Sequence, residues 1–487
     1  MSRQRSGIRH ARVRLIAAAF LVAMAVPACA GGQEEAQESQ QPQDTTVTRT
    51  VVANPEEMQQ AFIDVAQSVL PAVVEVNVVQ IVQQQPQNLF EYFFGQPQQE
   101  RRRPGLGSGV IVRTDGNTVY AVTNFHVVSE ADRINVVLED GREFEASMVG
   151  GDQRTDLALL EFQSSDDIPT IEFADSDEAQ VGQWVLAVGN PYGFESSVTV
   201  GIVSALGRSA QAGTPVGSFT EYIQTDAAIN PGNSGGALVD LDGRLVGVNA
   251  WIASQSGGST GVGFAIPSQV VDRVVTDLIE EGRVIYGWLG VTALDPTGRG
   301  VPGLADGLDV GDESGVLINN VHQGAPAATD GLLPGDFITA VNDSDIQSFT
   351  EFARAVGSER PGTEVELSII RYGGSDSVTV TLDQQPPREE LNNPSNLWPG
   401  MTIIPITGRI REQLNIPSGV SGVIAINVIA ESPAATAGLR RGDIIVEIDG
   451  TTTDGVMPFY RALNEAGDSV PVSVNRGGRG LELVVRR

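Results

Sequence analysis

The chain has 487 residues, a formal net charge of −30 and a hydrophobic content of 41%. It is too long for one domain, and its length predicts about three. The negative charge argues against nucleic acid or an anionic membrane surface as a partner, because both carry charge of the same sign. Cys29 is the single cysteine, so the folded domains downstream are expected to contain no disulfide, thiolate zinc site or cysteine nucleophile.

Residues 1–30 are predicted to be an export signal. Five arginines precede the apolar run 15–26, which is shorter than a membrane span requires. Residues 26–29 approximate a lipoprotein signal, after which Cys29 would carry lipid. The triplet 28–30 fits ordinary signal cleavage equally well. The proline at position 27 argues against the lipoprotein signal and the position of the single cysteine argues for it, with a slight preference for ordinary cleavage. Both alternatives predict an exported protein, either soluble or attached to a membrane by lipid.

Residues 31–53 are rich in Gln, Glu and Ser and are predicted to be a disordered linker. A helix is predicted to begin after them, with Asn54 as its N-cap and Pro55 in its first turn. The apolar stripe of this helix would contain Met58, Phe62, Val65 and Val69.

From about residue 70 to 265, short β-branched runs alternate with turn residues, as in 73–78 and 244–249. This rhythm predicts an all-β barrel or sandwich. A Gln-rich insertion at 83–103 separates the first strands. A helix over 268–281, ended by Gly282, is predicted to close the domain.

Ser234 lies in a loop of glycine and asparagine, residues 230–236. A serine hydroxyl is a poor nucleophile until a base takes its proton and backbone donors hold the oxyanion that follows. Glycines beside the serine allow the main chain to aim several N–H groups at one point. The alternative is an ordinary hairpin with an exposed serine.

His126 is the favoured base for this serine, because only three histidines occur in the chain. His10 lies in the export signal and His322 lies far downstream in another domain. His126 lies in the segment 120–128, which predicts a buried strand that ends at this histidine, where the strand meets its loop. The alternative is a structural or surface histidine at the end of a strand.

Asp156 is the best candidate for a carboxylate that orients the imidazole of His126. It precedes the apolar run 157–160, which predicts a buried carboxylate that needs a partner. The alternative is an ordinary turn aspartate before a strand. Three competing aspartates have weaker sequence contexts: Asp152, Asp175 and Asp226.

An internal repeat follows residue 282. The segment that contains Gly335-Asp336 recurs at Gly442-Asp443, and the spacing is 107 residues without a gap over the whole segment. This regular offset predicts two copies of one small domain. Each copy resembles a PDZ domain, in which an added peptide strand and a loop of N–H groups bind a C-terminal carboxylate.

Three motifs identify the chain as similar to the HtrA/DegP serine proteases. They are Thr123-Asn124-x-His126-Val127, Thr155-Asp156-Leu157-Ala158-x-Leu160 and Gly232-Asn233-Ser234-Gly235-Gly236, in the His, Asp, Ser order of chymotrypsin-like enzymes. The resemblance implies a mostly β protein with a chymotrypsin-like double β-barrel protease domain at 54–282 and PDZ domains at 284–385 and 396–487.

The resemblance also implies roles for individual residues. Ser234 would attack the scissile carbonyl, His126 would carry its proton and Asp156 would orient His126. The N–H groups of Gly232 and Ser234, with help from Asn233, would form the oxyanion hole. Substrate would pair along four residues: Asn249, Ala250, Trp251 and Ile252. Family members carry a small residue at the position of Trp251, so the expected preference for a modest aliphatic side chain stays open.

The carboxylate-binding loop of the first PDZ domain would contain five residues: Tyr286, Gly287, Trp288, Leu289 and Gly290. The corresponding loop in the second copy, residues 399–402, matches the family poorly. The resemblance implies no metal and no organic cofactor. It further implies a homotrimer, or a multiple of it, through aromatic contacts of Tyr92, Phe93 and Phe94, for which the alternative is a plain hydrophobic patch.

The family's activity is ATP-independent endoproteolysis of misfolded exported proteins in the periplasm. Two alternatives remain from the sequence. One is a holding chaperone with slow, regulated proteolysis, and the other is a PDZ scaffold with an inactive protease fold. The complete set of three motifs argues against the inactive scaffold.

Overall fold

The computed structural model describes residues 54–83, 100–190, 196–208, 220–254, 258–298, 300–386, 391 and 393–487. The expectations for Cys29, for the linker at 31–53 and for Tyr92, Phe93 and Phe94 lie outside these residues. All the elements below belong to one unit, Asn54–Arg487. No helix in the described part of the chain is both long enough and apolar enough to cross a membrane.

Helix α1 (Pro55–Val69) begins as predicted. The side chain of Asn54 accepts a hydrogen bond from the Glu56 N–H at 3.3 Å, which satisfies one of the free donors at the helix N-terminus. Val65 and Val69 are buried, whereas Met58 and Phe62 are partly covered. The predicted apolar stripe is therefore the face that packs on the protease domain.

The first six strands form a closed barrel in the order β1-β2-β3-β6-β5-β4. A short helix, α2 (Phe125–Val128), follows the third strand directly. The barrel interior is filled by aliphatic side chains and Phe162. Its strands are β1 (Val73–Gln83), β2 (Glu100–Asp115), β3 (Thr118–Asn124), β4 (Arg133–Val137), β5 (Glu143–Asp152) and β6 (Leu157–Gln163).

The next six strands form a second closed barrel in the order β10-β11-β12-β9-β8-β7. A shared apolar core joins the two barrels to α1 and to helix α3 (Ser268–Glu281). Gly282 ends α3 in the left-handed conformation (φ 67°), as predicted. The strands are β7 (Trp184–Gly189), β8 (Ser197–Arg208), β9 (Tyr222–Thr225), β10 (Ala237–Val239), β11 (Leu245–Ile252) and β12 (Gly263–Pro267). The predicted double-barrel fold is confirmed.

The first PDZ domain is built on a sheet with the central order β14-β15-β16-β18-β19. Its helices are α4 (Pro326–Thr329) and α5 (Phe349–Ser358). Its strands are β13 (Gly287–Trp288), β14 (Val291–Leu294), β15 (Val316–His322), β16 (Phe337–Val341), β17 (Ser344–Asp345), β18 (Glu364–Arg371), β19 (Gly374–Thr381) and β20 (Asp383–Gln384). Strand β13 pairs with β20.

The second PDZ domain repeats this order as β22-β23-β24-β26-β27. Its helices are α6 (Gly408–Gln413), α7 (Pro433–Thr436) and α8 (Val456–Glu465). Its strands are β22 (Met401–Pro405), β23 (Val423–Val428), β24 (Ile444–Ile448), β25 (Thr451–Thr452), β26 (Ser469–Arg476) and β27 (Arg479–Arg486). One more strand, β21 (Leu397–Trp398), pairs with β15 of the first PDZ domain. The boundary predicted at 396 therefore falls beside a strand that joins the two domains.

A buried ion pair occurs at the same place in both PDZ domains. Arg371 donates two hydrogen bonds to Asp336, each 2.7 Å long, and a third to the Gly331 carbonyl at 2.8 Å. Arg476 makes the same three bonds to Asp443 and to the Gly438 carbonyl. Both carboxylates are 1% exposed. The pairing with Asp336 is the main cause that raises the pKa of the Arg371 guanidinium.

Replacing Asp336 by alanine is expected to lower the local stability of the first PDZ domain by about 3 kcal/mol, because a partly buried guanidinium loses its partner. Hydrogen exchange of amides in β16 and β18 should accelerate by about two orders of magnitude. Glu364→Ala, an exposed acid on β18, is the control. Equal exchange rates in the two variants would contradict the prediction.

Candidate active site

The serine loop is fastened to both barrels by backbone hydrogen bonds. The Gly235 N–H donates to the Asn249 carbonyl at 2.8 Å, and the Asn249 N–H donates to the Gly236 carbonyl at 2.8 Å. On the other side, the Ser108 N–H of the first barrel donates to the Ser234 carbonyl at 2.8 Å. Ser234 is therefore fixed at the junction of the barrels.

Gly235 is required by this close approach. Its φ is 85°, in the left-handed region that glycine adopts without strain. A Cβ atom at this position would collide with the Ser108 carbonyl oxygen and with Oγ1 of Thr123. The glycine that the sequence places after the serine thus allows the loop to touch the strand that leads to His126.

His126 and Asp156 are brought together as predicted. The Nδ1 atom of His126 lies 2.8 Å from Oδ2 of Asp156, and the His126 N–H donates to Oδ1 at 3.0 Å. The Asp156 side chain is 5% exposed, whereas that of His126 is 44% exposed. With Asp156 ionised, Nδ1 carries the proton of this bond and the neutral imidazole keeps Nε2 as its acceptor.

The backbone of Asp156 is held as firmly as its side chain. Its carbonyl accepts from the Phe125 N–H and from the Asn124 side-chain amide, both at 3.0 Å. Its φ of 61° is rare for a residue other than glycine. Strained backbone of this kind persists only where its surroundings determine it, and here those surroundings are the residues that precede His126.

Ser234 lies beside the histidine helix without a hydrogen bond to it. A Cβ atom at Gly107 would lie within 3.3 Å of both the Val127 side chain and the Ser234 carbonyl oxygen, so the serine backbone and the histidine helix meet at this glycine. The Ser234 hydroxyl donates to the carbonyl of Ala250 at 3.0 Å. Among the described contacts, no hydrogen bond joins Ser234 to His126. The structure thus forms the carboxylate–histidine half of the predicted triad and directs the hydroxyl to β11.

Two backbone donors of the serine loop are available to an anion. Within the described residues, no backbone carbonyl accepts from the N–H of Gly232 or of Ser234. The Asn233 N–H is different, because it donates to the Asn230 carbonyl at 2.9 Å. Among the described residues, the N–H groups of Gly232 and Ser234, the predicted oxyanion donors, thus have no backbone acceptor. The Asn233 N–H instead makes a hydrogen bond within the turn.

The strand predicted to pair with substrate divides into a buried and an open part. Asn249 is 0% exposed, and its side chain donates to the Ala237 carbonyl at 2.9 Å. Its own N–H and carbonyl are used by the serine loop. Trp251 and Ile252 of β11 pair with β12 on one edge, with Ala250 in a bulge before them, and none of these three residues pairs with β10 on the other edge. Among described strands, the open edge therefore begins at Ala250.

Trp251 belongs to an aromatic cluster at this strand. Its ring stacks on Phe264 with centroids 4.0 Å apart and meets the edge of Tyr222 at 5.7 Å. Burial, and after it the negative charge of Asp156, raises the pKa of Tyr222 above its usual range, so the phenol stays neutral. The sequence does not predict the place of Tyr222 in this cluster, because no recognisable motif surrounds it.

Ser108 was also missed, although it stands in the glycine-rich segment 105–109. It is 0% exposed, and its hydroxyl donates to the Gly232 carbonyl at 2.6 Å and accepts from the Asn190 N–H at 2.9 Å. Its carbonyl accepts from the Thr123 hydroxyl at 2.6 Å. The sequence signal that could have indicated its role is a serine between two glycines, because the small neighbours allow a second glycine-rich loop to approach closely.

Comparison with known proteins identifies the family. Models of a trypsin-like peptidase domain and of two PDZ domains match residues 107–248, 288–382 and 424–476. The probable periplasmic serine endoprotease DegP-like of Chlamydia muridarum is 38% identical over 395 residues, covering 80% of this chain and 77% of that protein. The chain belongs to the HtrA family of DegP-like serine endoproteases. Its predicted chemistry, that of a serine endopeptidase, is thereby confirmed.

Further relatives agree with the HtrA assignment. The periplasmic pH-dependent serine endoprotease DegQ of Escherichia coli is 35% identical over 427 residues, covering 86% of this chain and 90% of that protein. A solved structure, HtrA-type protease AlgWS227A with decapeptide, is 39% identical with a TM-score of 0.56, covering 67% of this chain and 98% of that one. The relatives are named periplasmic, which supports the predicted periplasmic location.

The first PDZ domain of this HtrA protein is attached to the protease domain next to Asp156. The Tyr286 hydroxyl donates to Oδ2 of Asp152 at 2.7 Å. The same oxygen accepts from the N–H of Thr155 at 2.7 Å and from its hydroxyl at 2.8 Å. Arg273 of α3 donates to carbonyls on the PDZ side, among them Ile285 at 2.7 Å. Asp152, a weak candidate for the triad, thus connects the two domains.

The two PDZ loops have the same backbone form and different partners. Gly290 and Gly400 both have a left-handed φ, 80° and 82°. In the second loop, the N–H groups of Gly400 and Met401 donate to Oδ1 of Asn320, at 2.8 and 3.0 Å. These donors are therefore occupied by a side chain of the first PDZ domain. In the described ranges no cluster of potential metal ligands occurs at either loop or elsewhere.

Ser108→Ala is expected to slow the reaction of Ser234 with a fluorophosphonate probe by about tenfold, because a buried carbonyl and a buried N–H lose their partner. Ser147→Ala, an exposed serine of the same barrel, should react at the rate of the parent. Rates measured by mass spectrometry of the labelled protein test this. An unchanged rate for Ser108→Ala would show that the loop does not depend on this bond.

Proposed function

We propose that this serine endopeptidase degrades misfolded exported proteins without ATP, and that its first PDZ domain captures their C-termini. The observation that carries the catalytic part is the 2.8 Å contact between His126 and a nearly buried Asp156, beside a serine loop with two free N–H donors. Cleavage of a peptide bond by these groups requires no metal, cofactor or nucleotide.

The proposed reaction begins when Ser234 leaves its bond to Ala250. A substrate strand that pairs with the open edge of β11 would offer its own N–H to the Ala250 carbonyl. This N–H competes with the Ser234 hydroxyl, which is then released toward Nε2 of His126. Binding of substrate and activation of the nucleophile would thus be one event, consistent with catalytic hydrogen bonds that tighten only in the substrate complex.

His126 then takes the hydroxyl proton as Ser234 forms a bond to the scissile carbonyl carbon. Asp156 holds the ring and stabilises the imidazolium. The carbonyl oxygen becomes an oxyanion between the N–H groups of Gly232 and Ser234, each of which contributes about 3 kcal/mol in comparable sites. His126 returns the proton to the leaving amine, and water hydrolyses the acyl-enzyme by the same steps.

A holding chaperone with slow proteolysis is the second candidate. The observation that favours it is the Ser234–Ala250 hydrogen bond, because a hydroxyl held by a carbonyl is not poised for attack. In this alternative the protein binds unfolded chains for long periods and cleaves them only when the hydroxyl is released.

The remaining proposals concern partners and location. Capture of chain ends is assigned to the first PDZ domain, since the donors of the second loop are occupied by Asn320. The solved relative with a decapeptide supports peptide binding in this family. We also propose a homo-oligomer, a trimer or a multiple of it, formed through Tyr92, Phe93 and Phe94, and a periplasmic protein released by ordinary signal cleavage.

Ser234→Ala is expected to abolish degradation of unfolded casein, a loss of at least about a thousandfold in rate, while the fold is retained. Gel analysis of the digest and light scattering of an aggregating client should be measured together. Equal degradation by both proteins would exclude Ser234 as the nucleophile. If the parent also fails to degrade casein while both proteins suppress aggregation, the chaperone function is supported instead.

The mature protein purified from its native membrane and periplasmic fractions is expected to have the mass of an unmodified polypeptide. Intact-mass spectrometry tests this, because a lipid on Cys29 adds mass that cleavage alone cannot. Cys29→Ala provides the matched control for any modification at this residue. A lipidated mass in the parent, absent from the variant, would contradict ordinary signal cleavage.

A further inference from the structure

The groove of the first PDZ domain is completed by a residue of the protease domain. A cavity of about 280 Å³ lies between the loop 287–291 and helix α5. Its walls are mainly apolar, with Leu289 and Val291 on one side and Phe352 and Val356 on the other. Arg154 also lines it, although it belongs to the loop between β5 and β6 of the first barrel.

Arg154 is held at the loop end of this groove by Tyr286. Its guanidinium carbon lies 4.6 Å from the centre of the Tyr286 ring, a cation–π distance. Tyr286 is itself fixed, because it is buried and its hydroxyl donates to Asp152. Arg154 is half-buried, so its guanidinium is partly desolvated and its position is restricted.

The charge of Arg154 determines what the groove can select. It is the single charged residue among the described residues that line the cavity. An apolar cavity with one positive charge at its end favours a ligand with an apolar side chain next to an anion. The C-terminus of a polypeptide has this combination, because its carboxylate is attached to the residue whose side chain would fill the cavity.

We propose that Arg154 binds a carboxylate of the captured peptide, so that the site for chain ends is shared between the protease and PDZ domains. The inference rests on the proposed capture of C-termini by the first PDZ domain. The terminal carboxylate is the favoured source, because Arg154 stacks on Tyr286, the first residue of the predicted carboxylate-binding loop. An acidic side chain next to the terminus is the other source of the same chemistry.

Binding of fluorescent peptides to the full chain, measured by anisotropy, tests the proposal. The chain carries Ser234→Ala so that the probes stay intact. Four peptides share an apolar last residue and differ in two features: a free or amidated C-terminus, and Glu or Gln at the penultimate position. Each is titrated into this parent and into a second protein that also carries Arg154→Gln.

Arg154→Gln is expected to bind the peptides with a free C-terminus about tenfold more weakly, which corresponds to about 1.4 kcal/mol. The amidated peptides should bind both proteins equally, which also shows that the groove is intact. The tenfold difference should shrink at high salt. If Arg154→Gln lowers the affinity only for peptides with a penultimate Glu, whether or not the C-terminus is amidated, Arg154 binds the acidic side chain. This result still supports carboxylate binding by Arg154. Equal affinities of both proteins for all four peptides would overturn the inference.

Two control variants separate this effect from less specific ones. Arg283→Gln removes an exposed arginine that does not line the groove, and Gln153→Ala changes an exposed neighbour in the same loop. Both should keep the affinities of the parent, and a tenfold loss in either would overturn the assignment to Arg154. A parent that binds none of the peptides overturns the proposed capture of chain ends and the inference with it. A parent that binds well while Arg154→Gln is unchanged overturns the inference alone.

Discussion

The position of Ser234, the proposed nucleophile, depends on Ser108. Its N–H and hydroxyl donate to the carbonyls of Ser234 and Gly232, and its hydroxyl also accepts from the Asn190 N–H. Ser108 belongs to the first barrel, whereas its partners belong to the second. Thr123, three residues before His126 in β3, donates its hydroxyl hydrogen to the carbonyl of Ser108. The distance between Ser234 and His126 is therefore set by the packing of the two barrels against each other, and close-packed barrels deform less than a surface loop.

The same loop of the first barrel serves both the catalytic carboxylate and the PDZ groove. Asp152 accepts from Thr155, which precedes Asp156, and from Tyr286, which begins the predicted carboxylate-binding loop. Arg154 extends from between them into the groove. Four residues of the segment 152–156 thus contribute to the predicted catalytic site, to a domain contact and to the lining of the first PDZ groove. A substitution of one of these four residues is expected to affect more than one of these properties, so activity and peptide binding have to be measured separately.

The hydroxyl of Ser234 is hydrogen-bonded to the carbonyl of Ala250. A carbonyl acceptor satisfies its hydrogen-bonding requirement without increasing its nucleophilicity. The second PDZ loop shows the same principle, since Asn320 satisfies donors that would otherwise be buried without a partner. In both places the protein itself supplies the hydrogen-bond partner, so any ligand that used the same atoms would first have to displace an internal bond.

The sequence by itself determined the local features of this protein. The order of the three motifs, the scarcity of histidine, the Asn54 cap, the Gly282 helix end and the constant repeat spacing all follow from residue identities and their spacing along the chain, whatever the packing. Only the tertiary structure decided that the Ser234 hydroxyl meets Ala250, that Asn249 is buried, that Asn320 occupies the second PDZ loop and that Arg154 enters the first groove. These contacts join side chains from different elements, and for Asn320 and Arg154 from different domains. Their partners are chosen by the packing of whole elements, which no local pattern encodes.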